Sequence, residues 1–210
     1  MLRKDRADEL LSARKAQIIS VCEKMYDEMD YHDITLKTIS ERTELSRPSL
    51  YNYYSTKEEI YLDILEKKYL ALRDDLEKFL LGGKHWTKEE TSQGLAKIIV
   101  KHRKLITMMG SYITDIEMHC SQDNLDAFKQ KVKPLFDTLR LGIKRQFPAS
   151  SEEDISGFVS AFMCFLHGLP AVCEPSARQI AALKAAGMYH AISMQQFCAR
   201  NFFLLMTPLK

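Results

Sequence analysis

The chain has 210 residues, of which 46% are hydrophobic and 28% charged, so it is long and apolar enough to bury a core. Its formal net charge of +2 is too small to indicate a nucleic-acid partner by itself. The five cysteines are scattered without CxxC spacing. This argues against a disulfide framework and is typical of reduced thiols in an intracellular protein.

The sequence also argues against secretion and membrane insertion. Its first residues, MLRKDRADELL, are charged and lack the apolar core of a signal peptide. The most apolar run, residues 158–173, is interrupted by His167, Gly168 and Pro170 and is shorter than the roughly 18 to 20 residues of a membrane span. We therefore expect a soluble, cytoplasmic protein.

Helical periodicity dominates the N-terminal part, and no stretch shows sustained strand alternation. Apolar residues recur every three or four positions as far as Met29, which predicts a first helix over about residues 7–29. Thr35 and Ser46 are placed to cap two short helices. Thr56 and Glu59 have the spacing of a capping box, which predicts a long fourth helix that Gly82-Gly83 ends.

The C-terminal part is predicted to be helical as well. A second capping box, Thr87 with Glu90, begins a fifth helix that runs to about residue 102. Three more helices are expected over 104–119, 123–146 and 152–173, and a last one from beyond Pro175 to Met206, irregular near Gly187. The predicted fold is all-α, with about nine helices.

The last two predicted helices are apolar on more than one face. The first carries Ile155, Phe158, Val159, Phe162, Leu166 and Leu169, widened by Ala161, Cys164 and Phe165. The second carries Met188, Ile192, Met194, Phe197, Cys198, Phe202, Phe203 and Leu205. A helix of this kind must be buried on several sides. The pattern predicts a homodimer through these two helices, with a central position in the monomer core as the alternative.

Residues 35–57, TLKTISERTELSRPSLYNYYSTK, meet the requirements of a helix-turn-helix. Four apolar residues are spaced to pack inward: Leu36, Ile39, Leu45 and Leu50. Ser46 caps the second short helix, and Pro48 falls in its first turn, where the missing N–H has no partner to lose. The start of such a helix is the part that meets base edges in DNA.

This stretch resembles the TetR family of bacterial transcriptional regulators. The residues that carry the resemblance are Thr35, Leu36, Ile39, Leu45, Ser46, Leu50, Tyr51, Tyr53, Tyr54, Thr56, Lys57, Glu58 and Ile60. The resemblance implies a helix-turn-helix DNA-binding domain over 1–57, a connecting fourth helix over 57–81, and a larger ligand-binding and dimerisation domain over 82–210. It implies a homodimeric repressor that binds a palindromic operator and is released by a small, largely apolar effector.

The resemblance also assigns roles in DNA binding. The predicted DNA-contact set is Thr35, Ser46, Arg47, Pro48, Ser49, Tyr51, Asn52, Tyr53 and Lys57. Arg47, Pro48, Ser49 and Tyr53 are expected to reach base edges, with Arg47 bidentate to guanine. Thr35, Tyr51, Asn52 and Lys57 are expected at phosphates. The alternative for Tyr51 and Tyr53 is that they pack between the short helices. The alternative for Lys57 is that it is a solvent-exposed lysine at the start of a helix.

The turn between the two short helices departs from the family pattern. The family usually has Ala-Gly there, whereas this chain has Thr43-Glu44. If Glu44 takes the left-handed conformation, it costs roughly 1 kcal/mol that glycine would avoid.

Methionine and aromatic residues suit an adaptable apolar pocket. The candidate pocket residues in the C-terminal part are Met108, Met109, Tyr112, Ile116, Phe136, Leu139, Phe162, Phe165 and Leu166. Ordinary core packing is the alternative for each of them. His102, His119 and His167 could add polar contacts or be ordinary helix-end and core residues. We expect no metal site and no cofactor.

The sequence leaves three other functions to consider. No catalytic motif is present, so we expect no enzyme. An effector-independent DNA-binding protein is a second possibility, which the large apolar helical part argues against. A thiol-based redox regulator, with Cys120 or Cys173 as the sensor, is the third.

Overall fold

The computed structural model describes the backbone of residues 2–210 and the side chains from residue 9 onward. Within that range the chain forms ten α-helices and one short 3-10 turn, Tyr31–Asp33, and no strand. The helices are α1 Leu2–Glu28, α2 Leu36–Thr43, α3 Arg47–Tyr51, α4 Lys57–Leu81, α5 Lys88–Lys101, α6 Arg103–His119, α7 Gln122–Gln146, α8 Glu152–Cys173, α9 Ala177–Ala185 and α10 Met194–Leu205. The all-α prediction is confirmed.

The chain divides into two compact units. The first contains Met1–Lys67 and Thr114–Lys129, and the second contains Lys68–Ile113 and Gln130–Lys210. Helices α4, α6 and α7 therefore each contribute to both units. The first unit is larger than a simple N-terminal segment because the end of α6 and the start of α7 pack within it. The functional boundaries predicted at residues 57 and 82 stay a prediction.

The core of the first unit forms where the apolar stripe of α1 meets the short helices. Ile18 and Met25 of α1, Ile39 of α2, Leu50 of α3 and Ile64 of α4 are all at most 1% exposed. Each short helix has only one or two apolar side chains to bury, so these few buried contacts set the angle between α2 and α3.

Three tyrosines form an aromatic cluster in this unit. The ring of Tyr26 lies 4.7 Å from that of Tyr61, edge to face, and 6.0 Å from that of Tyr31. The hydroxyl of Tyr31 donates to Glu58 Oε1 at 3.0 Å, whereas the buried hydroxyl of Tyr26 has no hydrogen-bond partner among the described residues. Burial raises the pKa of both phenols above its usual value, so both hydroxyls stay protonated even in mildly alkaline solution.

We expect Tyr26→Phe to leave the free energy of unfolding unchanged or to raise it by up to about 1 kcal/mol, because the lost hydroxyl is buried and unsatisfied. Tyr31→Phe is the matched control and should lower it by about 1 kcal/mol, since a hydrogen bond to a carboxylate is lost. Urea unfolding of the two variants checks this, and a larger loss for Tyr26→Phe would show that its hydroxyl is bonded.

In the second unit, α7 side chains cap the end of α4. Buried Gln146 donates from Nε2 to the carbonyls of Leu80 (2.7 Å) and Lys84 (3.1 Å) and accepts from the backbone N–H of Trp86 at 2.8 Å. Arg145 donates to the carbonyl of Leu81 at 2.8 Å. The last carbonyls of a helix have no partner within it, so these bonds fix where α4 ends.

The capping box at Thr87 and Glu90 forms as predicted, and Gly83, with φ of 99°, follows the end of α4. At Thr56 only half of the predicted box forms. The Thr56 hydroxyl accepts from Glu59 N–H, but the Glu59 carboxylate accepts from the N–H of Ser55 instead of Thr56.

The prediction of a single last helix that runs to Met206 is wrong. This segment is two helices, α9 and α10, because Gly187 takes φ of 67° after α9 and residues 188–193 are not helical. Met188 and Ile192, assigned to that helix from the sequence, lie in this connection and are 65% and 41% exposed. The first helix begins at Leu2, five residues earlier than predicted.

Helices α8 and α10 pack together through aromatic rings in the second unit. The ring of Phe162 lies 4.7 Å from that of Phe202, and the ring of Phe165 lies 5.6 Å from that of Phe197. By length and composition alone, α8 could cross a membrane, a test that core helices of soluble proteins also pass. Its packing against α10 fits a core helix.

Candidate nucleic-acid interface

Helices α2 and α3 begin at the caps that the sequence predicts. The Thr35 hydroxyl accepts from Thr38 N–H at 3.2 Å, and the Thr38 hydroxyl accepts from Thr35 N–H at 2.9 Å. The Ser46 hydroxyl accepts from Ser49 N–H at 3.3 Å. Pro48 lies in the first turn of α3, where it costs no hydrogen bond. Both short helices are thus fixed at their N-termini by local side chains.

The predicted DNA-contact residues lie at the surface of this pair of helices. Exposed are Thr35, Ser46, Arg47, Pro48, Tyr51 and Asn52, whereas Ser49, Tyr53 and Lys57 are half-buried. Tyr51 is 57% exposed, which disfavours plain packing between the helices as its role. The hydroxyls of Ser46 and Ser49 lie 2.9 Å apart and bond to each other. Arg47 forms no ion pair with any described carboxylate.

Lys57 has protein partners in this structure. Its Nζ donates to the carbonyl of Tyr31 at 2.8 Å and lies 3.8 Å from the centre of the Tyr31 ring. These contacts hold the ammonium beside the start of α4. A phosphate contact by Lys57, as predicted, would have to be added to these bonds or replace them.

Glu44, the C-cap of α2, has φ of 58° and ψ of 20°, the left-handed conformation. It is the sole non-glycine residue with positive φ among the described residues. The expectation for this turn is therefore confirmed: a residue with a Cβ occupies a position where glycine is normally favoured.

Glu44→Gly should raise the free energy of unfolding by roughly 1 kcal/mol, because glycine adopts this φ without strain. Glu44→Ala removes the same carboxylate but keeps the Cβ, so it should give no such gain. Chemical unfolding of both variants measures the difference, and equal stability of the two would show that the turn is not strained.

Several contacts near this site were not foreseen from the sequence. The Tyr54 hydroxyl donates to Asp63 at 2.7 Å, and the ammonium of Lys15 lies over the Tyr54 ring. The Glu59 carboxylate accepts from Ser55 N–H on one oxygen and from the Asn124 side chain on the other, both at 2.8 Å. The sequence signal for the last contact is absent, because Asn124 lies 65 residues away along the chain.

The candidate pocket residues are divided between the two units. Ile116 belongs to the first and the other eight to the second. Met108, Met109, Ile116, Leu139, Phe162 and Leu166 are buried, and Tyr112, Phe136 and Phe165 are half-buried. A groove of about 550 Å³ in the second unit is lined by other residues, on α4, on α5 and, at Trp86, on the connection between them. The pocket assignment stays a prediction.

The candidate histidines and thiols have ordinary surroundings. His102 Nε2 lies 2.7 Å from Asp75, and the rings of His119 and His167 each lie within hydrogen-bond distance of a carbonyl one helical turn earlier. Burial raises the pKa of Cys120 and Cys173, and Glu117 and Glu174 respectively add to the rise. These surroundings disfavour a reactive thiolate.

Comparisons with known proteins match nearly the whole chain. Residues 18–64 match the family described as "Bacterial regulatory proteins, tetR family", and residues 66–197 match "Tetracyclin repressor-like, C-terminal domain". Among solved structures, a transcriptional regulator (TerR/AcrR family) from Aquifex aeolicus VF5 is 16% identical, with a TM-score of 0.48 over 91% of this chain and 96% of that one. The comparison with curated proteins gives no significant match. The two family matches together with the helix-turn-helix geometry show that this chain belongs to the TetR family and is a DNA-binding transcriptional regulator.

Proposed function

We propose that this protein is a homodimeric repressor that binds a palindromic operator in the cytoplasm and is released by a small, largely apolar effector. The observation that carries the DNA-binding part is the exposed start of α3. Arg47, Pro48 and Tyr51 stand at the surface there, and the caps at Thr35 and Ser46 hold the two short helices. A rigid helix start with an unpaired guanidinium suits bidentate contact with a guanine edge.

The faces of α8 and α10 that are exposed in the monomer support a dimer. Leu204 is 56%, Val172 43% and Phe203 37% exposed. A Cβ added at Gly157 or Gly168 of α8 would meet no described atom within 4 Å. Small residues on a helix allow a second helix to approach closely, and apolar side chains exposed in the monomer are typical of a subunit interface.

Leu204→Glu is expected to convert the dimer to monomers, because it places a charge in an apolar interface. The matched control is Leu141→Glu on α7, since Leu141 is 59% exposed and lies outside α8 and α10. Sedimentation velocity of the two variants tests this. A Leu204→Glu dimer as stable as the unchanged protein would place the interface elsewhere.

Effector release requires a path from the C-terminal helices to the recognition helix. In the first unit, Asn124 at the start of α7 donates to Glu59, and the other Glu59 oxygen accepts from Ser55, close after α3. A shift of α7 would therefore act on the segment that joins α3 to α4. Two half-sites must be matched at once, so a small change in spacing weakens both contacts.

Release is tested on the immobilised operator complex, washed with low-molecular-mass fractions of a cell extract at constant salt. We expect one fraction to dissociate the complex while leaving the protein dimeric. A complex that every fraction leaves intact would favour the effector-independent alternative.

A further inference from the structure

The groove on the second unit lies along one face of α5 and the end of α4. Its α5 residues recur at helical spacing, from Glu90 through Gly94 to Lys101, so they form a single stripe. Its volume of about 550 Å³ is within the range of small-molecule sites. None of the nine pocket residues predicted from the sequence lines it.

The floor of the groove is apolar and rigid. The rings of Phe79 and Trp86 are stacked with centres 5.2 Å apart, and the Trp86 indole N–H donates to the Phe79 carbonyl at 3.2 Å. Gly94 is required beneath them, because a Cβ there would lie 2.0 Å from the Phe79 ring. Half-buried Ile98 extends the floor along α5. The backbone of Trp86 is held by Gln146, so the indole is held from two sides.

The lining of the groove has a net positive charge, because it contains Lys78, Lys97 and Lys101 but only two carboxylates, Asp75 and Glu90. Two carboxylates line the groove, and both are engaged: Asp75 accepts from Lys101 at 2.6 Å and lies 2.7 Å from His102, and Glu90 accepts from Thr87 N–H at 3.0 Å. Of the lysines that line the groove, Lys78 and Lys97 are exposed and pair with no described carboxylate. A further ammonium, that of Lys84, lies 3.9 Å from the centre of the Trp86 ring. An apolar floor beneath unpaired ammonium groups is complementary to an amphipathic anion.

We propose that the α4/α5 groove binds small organic carboxylates, with the apolar body of the ligand against Phe79, Trp86 and Ile98 and its carboxylate between Lys78 and Lys97. This is a binding site in addition to any effector pocket in the interior. Because binding is measured on the protein without DNA, the outcome is independent of operator binding and release.

Trp86 is the only tryptophan in the sequence, so its fluorescence reports directly on the groove. Octanoate is the probe, and octanol is its uncharged match in chain length. We expect a saturable change in Trp86 fluorescence with octanoate and a much weaker response to octanol. An equal response to the two, or no saturable response to octanoate, would overturn the proposal.

The charge reversal Lys78→Glu/Lys97→Glu should weaken octanoate binding at least about tenfold. Lys78→Gln/Lys97→Gln, which removes the charges without reversing them, should weaken binding by a smaller factor. The control is Arg178→Glu/Lys184→Glu, two exposed cations on α9 outside the groove, which should bind as the unchanged protein does. Unchanged affinity in both groove variants, or an equal loss in the control, would contradict the proposal.

Discussion

Arg47→Ala is expected to cause the largest loss of operator affinity among single changes in the helix-turn-helix. A bidentate arginine–guanine contact contributes about 1–3 kcal/mol of discrimination, and a dimer makes it twice. Two half-sites therefore predict at least roughly a 30-fold weaker Kd at constant salt, together with relaxed base preference at one position of each half-site. Fluorescence anisotropy with the operator and with single-base variants measures both effects.

Arg42→Ala is the matched control, since it removes the same charge from the same unit. Arg42 is already paired with Glu28 at 2.7 Å, so it is less available to DNA than Arg47. It should weaken binding little and leave the base preference unchanged. If Arg47→Ala lowers affinity equally for every sequence, Arg47 contacts phosphate and does not read a base.

Gln146→Leu should produce the second large effect, on stability. The substitution leaves the buried carbonyl of Leu80 and the part-buried carbonyl of Lys84 and N–H of Trp86 without their side-chain partner. Each unsatisfied buried group costs about 1–3 kcal/mol, part of which local relaxation recovers. We expect the free energy of unfolding, measured by urea denaturation, to fall by about 2–4 kcal/mol. The emission wavelength of Trp86 should also change, because its surroundings change.

Gln130→Leu on the same helix is the control, because Gln130 is exposed and has no described hydrogen-bond partner. It should change stability by less than about 0.5 kcal/mol. A Gln146→Leu protein as stable as this control would show that the end of α4 is held by packing alone.

The sequence predicts well where a local signal fixes the structure. The caps at Thr35, Ser46 and Thr87 and the inward positions of Ile39 and Leu50 follow from residue type and spacing within one or two turns. The strained turn at Glu44 could also be expected, because its geometry is set by the two helices it joins.

The contacts that could not be predicted join distant parts of the chain. Glu59 with Asn124, Gln146 with the end of α4, and the stacking of Trp86 on Phe79 over Gly94 all depend on tertiary placement. The length of the break between α9 and α10 does not follow from the sequence, because Gly187 alone does not show that the six residues after it are not helical.

The measurement that tests the central claim most directly is selection of bound duplexes from a random DNA pool, followed by sedimentation of the selected complex. We predict enrichment of a palindrome bound by a two-fold dimer. The Arg47→Ala protein should lose the preference for the most strongly selected base of each half-site. A folded dimer that enriches no sequence would contradict sequence-specific DNA binding through α3.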